Sequence, residues 1–504
     1  MVVINISERK IGAFLSYLNI GLQTAVNFIY IPLLLHYIGR EEYGLYQLIG
    51  SLVAYLSVMD FGLSNMVIRF YAKYRALGDK TGAENILAIA QRSYLIICLF
   101  VLIVGIVFYQ FLPKWFCDSM TDAEINEGSE IYLLMLFNFA LNMLGMVYYA
   151  VINAQEKFLF LKGISCLQSV MQPLFVLVVL QKYPSAIGVA VATTVLNVII
   201  VFWRYAYAKI KLHVRIVYHY WNMDLLRGVG HFVLMQFIVS VADLVFFRTN
   251  PVILGVVSGT AAVATYAVAA NIQLAYSMMS TSISGVFLPR VTEMVARKIE
   301  SAEISELFIR IGRMQCFVLG LVGSGFVIFG REFIVLWAGE GFGDSYWIAL
   351  LIMLPFTTDL IQNVGFAILQ AMNRYGIRAA VQTMVGIINI VLAVPLGMKY
   401  GGIGCAAATG LCMFIGNGIG MSYCYAHYLN LQMINFWRQI LRILLHITLL
   451  TVVACVVDSF LPKASGWIFI VKVMGYTLIY GILVYFLCFN EYERSLCVRW
   501  LKKK

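Results

Sequence analysis

Fourteen apolar segments, each long enough to cross a bilayer, follow one another along this chain with only short polar gaps between them. They lie near residues 11–38, 45–68, 86–112, 131–153, 161–181, 185–208, 228–250, 260–288, 307–330, 345–371, 376–398, 403–427, 439–460 and 467–489. A crossing helix takes about 20 mostly apolar residues, and in hydrocarbon every backbone polar group must find an internal partner. The expected fold is therefore an all-α integral membrane protein of 14 transmembrane helices. Composition agrees: 62% of the residues are hydrophobic and only 12% charged, with a mean hydropathy of +0.85, which excludes an array of soluble domains. The gaps are too short to hold a soluble catalytic domain. Arg9 and Lys10 precede an apolar run, Ile11 to Ile38, that is too long for a secretory h-region and lacks a small-residue cleavage site, so it is read as a first span kept in the mature protein.

A net charge of +11 would suit a nucleic-acid binder, but in a membrane protein basic residues collect in the cytoplasmic loops. With the N-terminus inside and the spans alternating, 28 of the 36 basic residues fall on the cytoplasmic side and eight on the outer side. A missed or extra span would scramble that asymmetry. The expected location is the inner (cytoplasmic) membrane, multi-pass, with both termini cytoplasmic. The longest outer loop, about Pro113 to Glu130, is acidic and reads as a solvated connector. Ten cysteines include no CxxC pair and the six histidines have no ligand spacing, so no metal site and no cofactor are expected. Asp60-Phe61-Gly62 spells a kinase tripeptide but sits inside a span, and no GxxxxGK[ST] occurs, so the chain has no ATP-hydrolysing loop. No enzymatic activity is expected, and energy must come from a gradient or from the substrate. Gly416 and Gly420 form a GxxxG that lets helices approach closely.

An internal repeat is visible. Ile187-Gly188-Val189-Ala190-Val191-Ala192-Thr193 opens the sixth span and Ile403-Gly404-Cys405-Ala406-Ala407-Ala408-Thr409 opens the twelfth, 216 residues later. Ala154-Gln155-Glu156-Lys157-Phe158 and Ala371-Met372-Asn373-Arg374-Tyr375 lie 217 apart, and Arg69 and Arg290 close the second and eighth spans 221 apart. Spans one to six are thus repeated as seven to twelve. Because six is even, the copies are parallel, predicting two six-helix lobes around a central cleft. The expected division is 1–215 for the first lobe, 216–430 for the second, and 431–504 for two additional spans with a basic tail.

Ionisable groups at bilayer depth are costly, so each is a functional candidate. Asp60, Asp243 and Asp359 lie within the second, seventh and tenth spans and together suggest a coupling-ion or proton site; taken singly, each could equally hydrogen-bond a neighbouring helix and fix packing. Polar residues recur at helical spacing along four spans: Ser16, Asn19, Gln23, Asn27 and Tyr30 in the first; Gln47, Ser51, Tyr55, Gly62, Asn65 and Arg69 in the second; Gln236, Ser240, Asp243, Phe247 and Asn250 in the seventh; Asn271, Met278 and Ser282 in the eighth. For one helix such a stripe reads as interhelical hydrogen bonding; four in repeat-related positions favour a hydrated pathway. Arg69 and Arg290 at the cytoplasmic ends, with Arg248 in the seventh span, are suited to a phosphate or pyrophosphate, although the positive-inside rule also places arginines at such ends. The candidate substrate-binding set is Arg69, Arg290, Arg248, Gln23, Asn27, Asn65, Gln236 and Asn271, and the candidate ion-coupling set is Asp60, Asp243 and Asp359.

Ile38-Gly39-Arg40-Glu41-Glu42-Tyr43-Gly44-Leu45-Tyr46, followed by Met59-Asp60-Phe61-Gly62-Leu63-Ser64 and Arg69-Phe70, resembles the opening of the polysaccharide flippases of the multidrug/oligosaccharidyl-lipid/polysaccharide exporter superfamily. The Gly188-Val189-Ala190 and Gly404-Cys405-Ala406 openings and the six-plus-six-plus-two arrangement extend the resemblance over nearly the whole chain. It implies movement of an undecaprenyl-diphosphate-linked oligosaccharide from the cytoplasmic to the outer leaflet by alternating access, beside an outer-face polysaccharide polymerase. Lipid II flippases of the same superfamily use arginines in the first span, whereas Ile11 to Leu35 is charge-free here; capsule, O-antigen, exopolysaccharide and teichuronic-type glycans stay open. The main alternative is a proton- or sodium-coupled multidrug-type antiporter of the same fold. A membrane polymerase would need a large outer loop that is not present, and a pure assembly scaffold would have no use for polar inner faces.

Overall fold

The computed structural model describes residues 6–60, 63–220, 223–372, 374–462, 466–491 and 493–495, with side chains of 6–14, 17, 221–236, 238–239 and 375 outside the description. Among the described residues every regular element is helical. In chain order these are α1 (Ile6–Leu56), α2 (Leu63–Ala76), α3 (Lys80–Phe116), α4 (Asp122–Ala154), α5 (Phe158–Leu180), α6 (Ala186–Ala206), α7 (Met223–Ser258), α8 (Thr260–Ala296), α9 (Ser301–Ala338), α10 (Asp344–Leu360), α11 (Asn363–Ala371), α12 (Tyr375–Cys412), α13 (Met421–Leu429), α14 (Met433–Phe460) and α15 (Gly466–Leu483). Among the described residues ten stretches are long and apolar enough to cross a membrane, eleven if the bent pair α10 and α11 is one span. Two of the ten, Leu18–Ala76 and Gly376–Leu429, run 59 and 54 residues, more than twice one crossing. Splitting those two and adding the 37-residue α8 makes the helices consistent with the fourteen expected crossings. The protein is an all-α, multi-pass membrane protein.

Sharp turns join these helices where the sequence supplies the chemistry for them. Gly39 breaks α1 at φ 79°, and Gly259 separates α7 from α8 at φ 77°. Both values fall in the left-handed region, where a residue without a Cβ is favoured. The two glycines are 220 residues apart, so the repeat extends to the turn that follows the first span of each copy. Helix starts are capped in the usual polar way: the Asp79 carboxylate accepts from Gly82 N at 2.8 Å, and Thr121 and Glu124 form a reciprocal capping box that opens α4. At α6, Ser185 Oγ accepts from Gly188 N at 3.2 Å, and the Glu42 carboxylate accepts from Ala186 N.

The chain divides into two compact units, Met1–Ala264 and Thr265–Lys504. In the first, Met66, Val67, Tyr94, Met143, Val147, Val151 and Ile152 form one buried cluster of α2, α3 and α4. The segment 212–220 after α6 is a strap laid on this cluster: Val214 is buried in it, while Asn85 donates to Tyr220 O at 2.8 Å and accepts from His219 N and Tyr220 N. The expected lobe boundary at 215/216 falls within this strap. Helix α7 packs on α1 inside the first unit, where Tyr55 Oη and Thr249 Oγ1 are 2.6 Å apart.

In the second unit α10 and α11 meet at an angle of 43°. Pro355 has no N–H for the carbonyl of Leu351, and that carbonyl lies so close to Gly410 of α12 that a Cβ there would collide with it. The bend at Ile361 and Gln362 is closed by a relay of polar side chains. Gln362 Nε2 donates to Thr358 O at 2.7 Å and Gly418 O at 3.3 Å, Ser422 Oγ donates to Gln362 Oε1 at 2.8 Å, and Trp437 Nε1 donates to Ser422 Oγ at 3.0 Å. The Thr358 carbonyl freed by the bend thus keeps a partner, as a hydrocarbon environment demands.

Candidate functional site

Asp60 does not sit inside a continuous helix. It ends a tight 3₁₀ turn, Ser57–Asp60, that interrupts the second span between α1 and α2. Its carboxylate accepts from Tyr94 Oη of α3 at 2.7 Å and from Ser64 Oγ of α2 at 3.4 Å. From this break α2 carries Asn65, Arg69 and Lys73 in steps of four, all exposed, while Met66, Val67 and Tyr71 are buried on the opposite side. An exposed amide, guanidinium and ammonium in line along one helix form a ready surface for an anionic, hydroxyl-bearing group.

The other expected residues of the first unit separate into two kinds. Gln23 and Asn27 on α1 are exposed, but Asn19 from the same stripe accepts from Ser169 Oγ of α5 at 3.1 Å and serves helix packing. On α7, Arg248 is exposed and Asp243 half-buried. The side chain of Gln236 lies outside the described residues.

The second unit repeats the span-two arrangement without its charge. Ser280 stands 220 residues after Asp60, and Gln315 stands 221 after Tyr94. Gln315 Nε2 donates to Ser280 Oγ at 3.0 Å, so the hydrogen bond joining the second and third spans recurs between the eighth and ninth. Ser280 Oγ in turn donates to Leu360 O at 2.7 Å, at the bend of the tenth span. Asp359 occupies the last turn of α10 beside that bend, half-buried, with the Asn417 amide and the Arg378 guanidinium in electrostatic reach. Asn417 Oδ1 is buried and has no hydrogen-bond partner among the described residues. Arg290 is exposed on α8, and Asn271 donates to Ala267 O of its own helix at 2.8 Å. Sequence reasoning alone does not single out Tyr94, Gln315, Ser280, Arg378 or Asn417. The 221-residue offset of Arg69 and Arg290 would pair Tyr94 with Gln315, whereas Arg378 reads only as part of a basic loop.

Comparison with known proteins settles the family. Residues 11–295 match the model of the family described as "Polysaccharide biosynthesis protein", more than half of the chain. The chain belongs to this family. Over 387 residues it is 24% identical to a Shigella flexneri protein described as an O-antigen transporter, covering 73% of this chain and 86% of that one. Among solved structures, the lipid II flippase MurJ in an inward closed conformation aligns over 97% of this chain and 99% of its own with a TM-score of 0.75 at 15% identity. An inward-facing multidrug resistance transporter of the MATE family in the MOP superfamily covers 80% and 95% with a TM-score of 0.62 at 14% identity. At such identities these structural likenesses speak for the fold, and this family member has the fold of that superfamily.

Proposed function

We propose that the protein moves an undecaprenyl-diphosphate-linked oligosaccharide from the cytoplasmic to the outer leaflet of the inner membrane by alternating access of its two six-helix lobes. The observation that carries this reading is the exposed polar face of α2, with Asn65 and Arg69 leading away from the carboxylate of Asp60 at a helix break. A sugar diphosphate cannot enter hydrocarbon unaided, and the protein must replace its water with hydrogen bonds and balancing charge. Arg69, Arg290 and Arg248 would meet the diphosphate. Gln23, Asn27, Asn65, Gln236 and Asn271 would meet sugar hydroxyls. The membership in a polysaccharide biosynthesis family and the name of the Shigella flexneri relative support a glycan as cargo. An outer-face polymerase would take the delivered glycan.

Asp60, Asp243 and Asp359 are the proposed ion-coupling residues, and Asp60 is the best suited of them. Its described partners are two hydroxyls, which stay neutral, so its charge can change without breaking an ion pair. Purified protein in liposomes with a fluorescent polyprenyl-diphosphate oligosaccharide tests the proposal, with headgroup accessibility followed with and without pH or sodium gradients. Translocation is the expected result. Silence with several headgroups, together with gradient-driven dye transport, would replace the flippase by an antiporter.

A further inference from the structure

Where the first turns of α9 and α14 meet the residues after α15, the second unit forms an open pocket of about 410 Å³, a size typical of small-ligand sites. None of the candidate residues above lines it. The amides of Gln432, Asn435, Gln439 and Asn490 do, with Arg310 and Arg313 beside them.

The two guanidiniums do not make it an anion site. Arg313 binds both carboxylate oxygens of Glu493, at 2.8 and 2.7 Å, and Cys488 O at 2.9 Å, while Arg310 pairs with Glu306 at 2.7 Å. Two positive charges therefore face two negative ones. The amides are ordered by this framework: Arg313 Nη1 donates to Gln439 Oε1 at 3.4 Å, Gln439 Nε2 donates to Asn435 Oδ1 at 3.3 Å, and Asn490 Oδ1 accepts from Glu493 N at 2.8 Å. Asn435 Nδ2, Asn490 Nδ2 and the Gln432 side-chain amide remain uncommitted among the described residues, next to the carboxylate of Glu306. A wall of neutral donors and acceptors with cancelling charges matches hydroxyl groups, each of which donates and accepts at once.

We propose that this pocket binds an uncharged polyhydroxyl group, the saccharide part of the glycolipid cargo, as a second contact apart from the diphosphate-binding residues. The inference rests on the flippase reading. The spans end here in Arg310, Arg313, Arg438 and Arg442, on the side where the charge distribution places the cytoplasm and where a lipid-linked glycan would be loaded.

Two probes test it in liposomes bearing the full-length protein: polyprenyl diphosphate carrying one N-acetylglucosamine, and the same lipid carrying a neutral tetrasaccharide. The wild type is compared with the double variant Gln432→Ala, Asn435→Ala, whose side chains are both exposed and so removable without opening the core. Losing two ordinary hydrogen bonds is expected to raise the half-saturating concentration of the tetrasaccharide lipid about tenfold, leaving its maximal rate and the single-sugar probe unchanged. Wild-type behaviour of the variant with both probes overturns the saccharide site and leaves the flippase standing. An equal loss with both probes also overturns it, because a sugar contact must discriminate between them. If the wild type moves neither probe, the flippase reading itself fails.

Discussion

Asp60 and Asp359 both stand where a membrane helix stops and restarts, yet hydroxyls hold the first carboxylate while the second has only the charge of Arg378 within electrostatic reach. The two breaks are not repeat equivalents. Asp60 interrupts the second span, whose counterpart α8 runs unbroken through Ser280; Asp359 ends the helix at the bend of the tenth span, whose counterpart α4 runs unbroken through Asn142. Where the charge of Asp60 is missing, the contact between helices persists as Gln315 to Ser280; where that of Asp359 is missing, Asn142 Nδ2 bonds only within its own helix, to Asn138 O at 3.1 Å. The repeat thus preserves the hydrogen-bonding position between its second and third spans, while the two copies place their acids in different helices. An acid among neutral donors can gain and lose a proton at modest cost. An acid within the field of an arginine has part of its charge answered at a distance, which neutral hydroxyls do not do.

The comparison breaks first at Asp60. Asp60→Asn should cut headgroup translocation at least ~tenfold while the purified protein keeps its melting temperature, because the amide preserves shape but cannot carry the charge; full activity would remove Asp60 from the site. Next in size is Arg378→Ala, expected to destabilise the second unit by about 1 kcal/mol through loss of its stacking on Phe366 at 4.0 Å and of the favourable charge near Asp359, and adding Asp359→Asn should recover part of that loss in thermal melts. Unchanged melting in the single variant would show that the pair is not structural. Arg69→Ala should raise the half-saturating concentration for a polyprenyl diphosphate about fivefold at low salt, with Arg69→Lys between it and the wild type, since lysine keeps the charge but loses the bidentate fork. The smallest change is expected for Tyr94→Phe, about two- to threefold in rate, accompanied by a displaced pH profile because one of the two hydroxyls on Asp60 is gone. A profile identical to wild type would make Tyr94 a packing residue only.

Much of the architecture is legible in the order of the amino acids. Segment length, charge asymmetry and the repeated Gly-Val-Ala and Gly-Cys-Ala openings account for an all-helical membrane fold, and Gly39 and Gly259 add a second repeat signature through their shared backbone conformation. The helix breaks escape a hydropathy window, because averaging over a membrane-length stretch erases four residues such as Ser57–Asp60. Periodicity also overstates a polar stripe. Asn19 and Gln23 are one turn apart on α1, but only Gln23 is exposed, since α5 covers its neighbour. Tyr94 is one of 30 tyrosines, and only the fold distinguishes the one that reaches a carboxylate. Arg378 belongs to the basic count of a cytoplasmic loop and to the surroundings of Asp359 at once, and a one-dimensional charge tally cannot separate those roles.

The two helices beyond the repeat look dispensable by descent, having no counterpart in the first copy. The buried pair of Arg313 and Glu493 argues for a one-way history. Once an arginine of the ninth span had closed on a carboxylate carried by the appended segment, any lineage that shed the segment would have inherited a buried cation with nothing to answer it, a penalty of about 3–5 kcal/mol. The segment that brings the pocket amides is thereby tied to the ninth span by a charge that span cannot leave unanswered, so it cannot be trimmed away without a second, compensating change at Arg313.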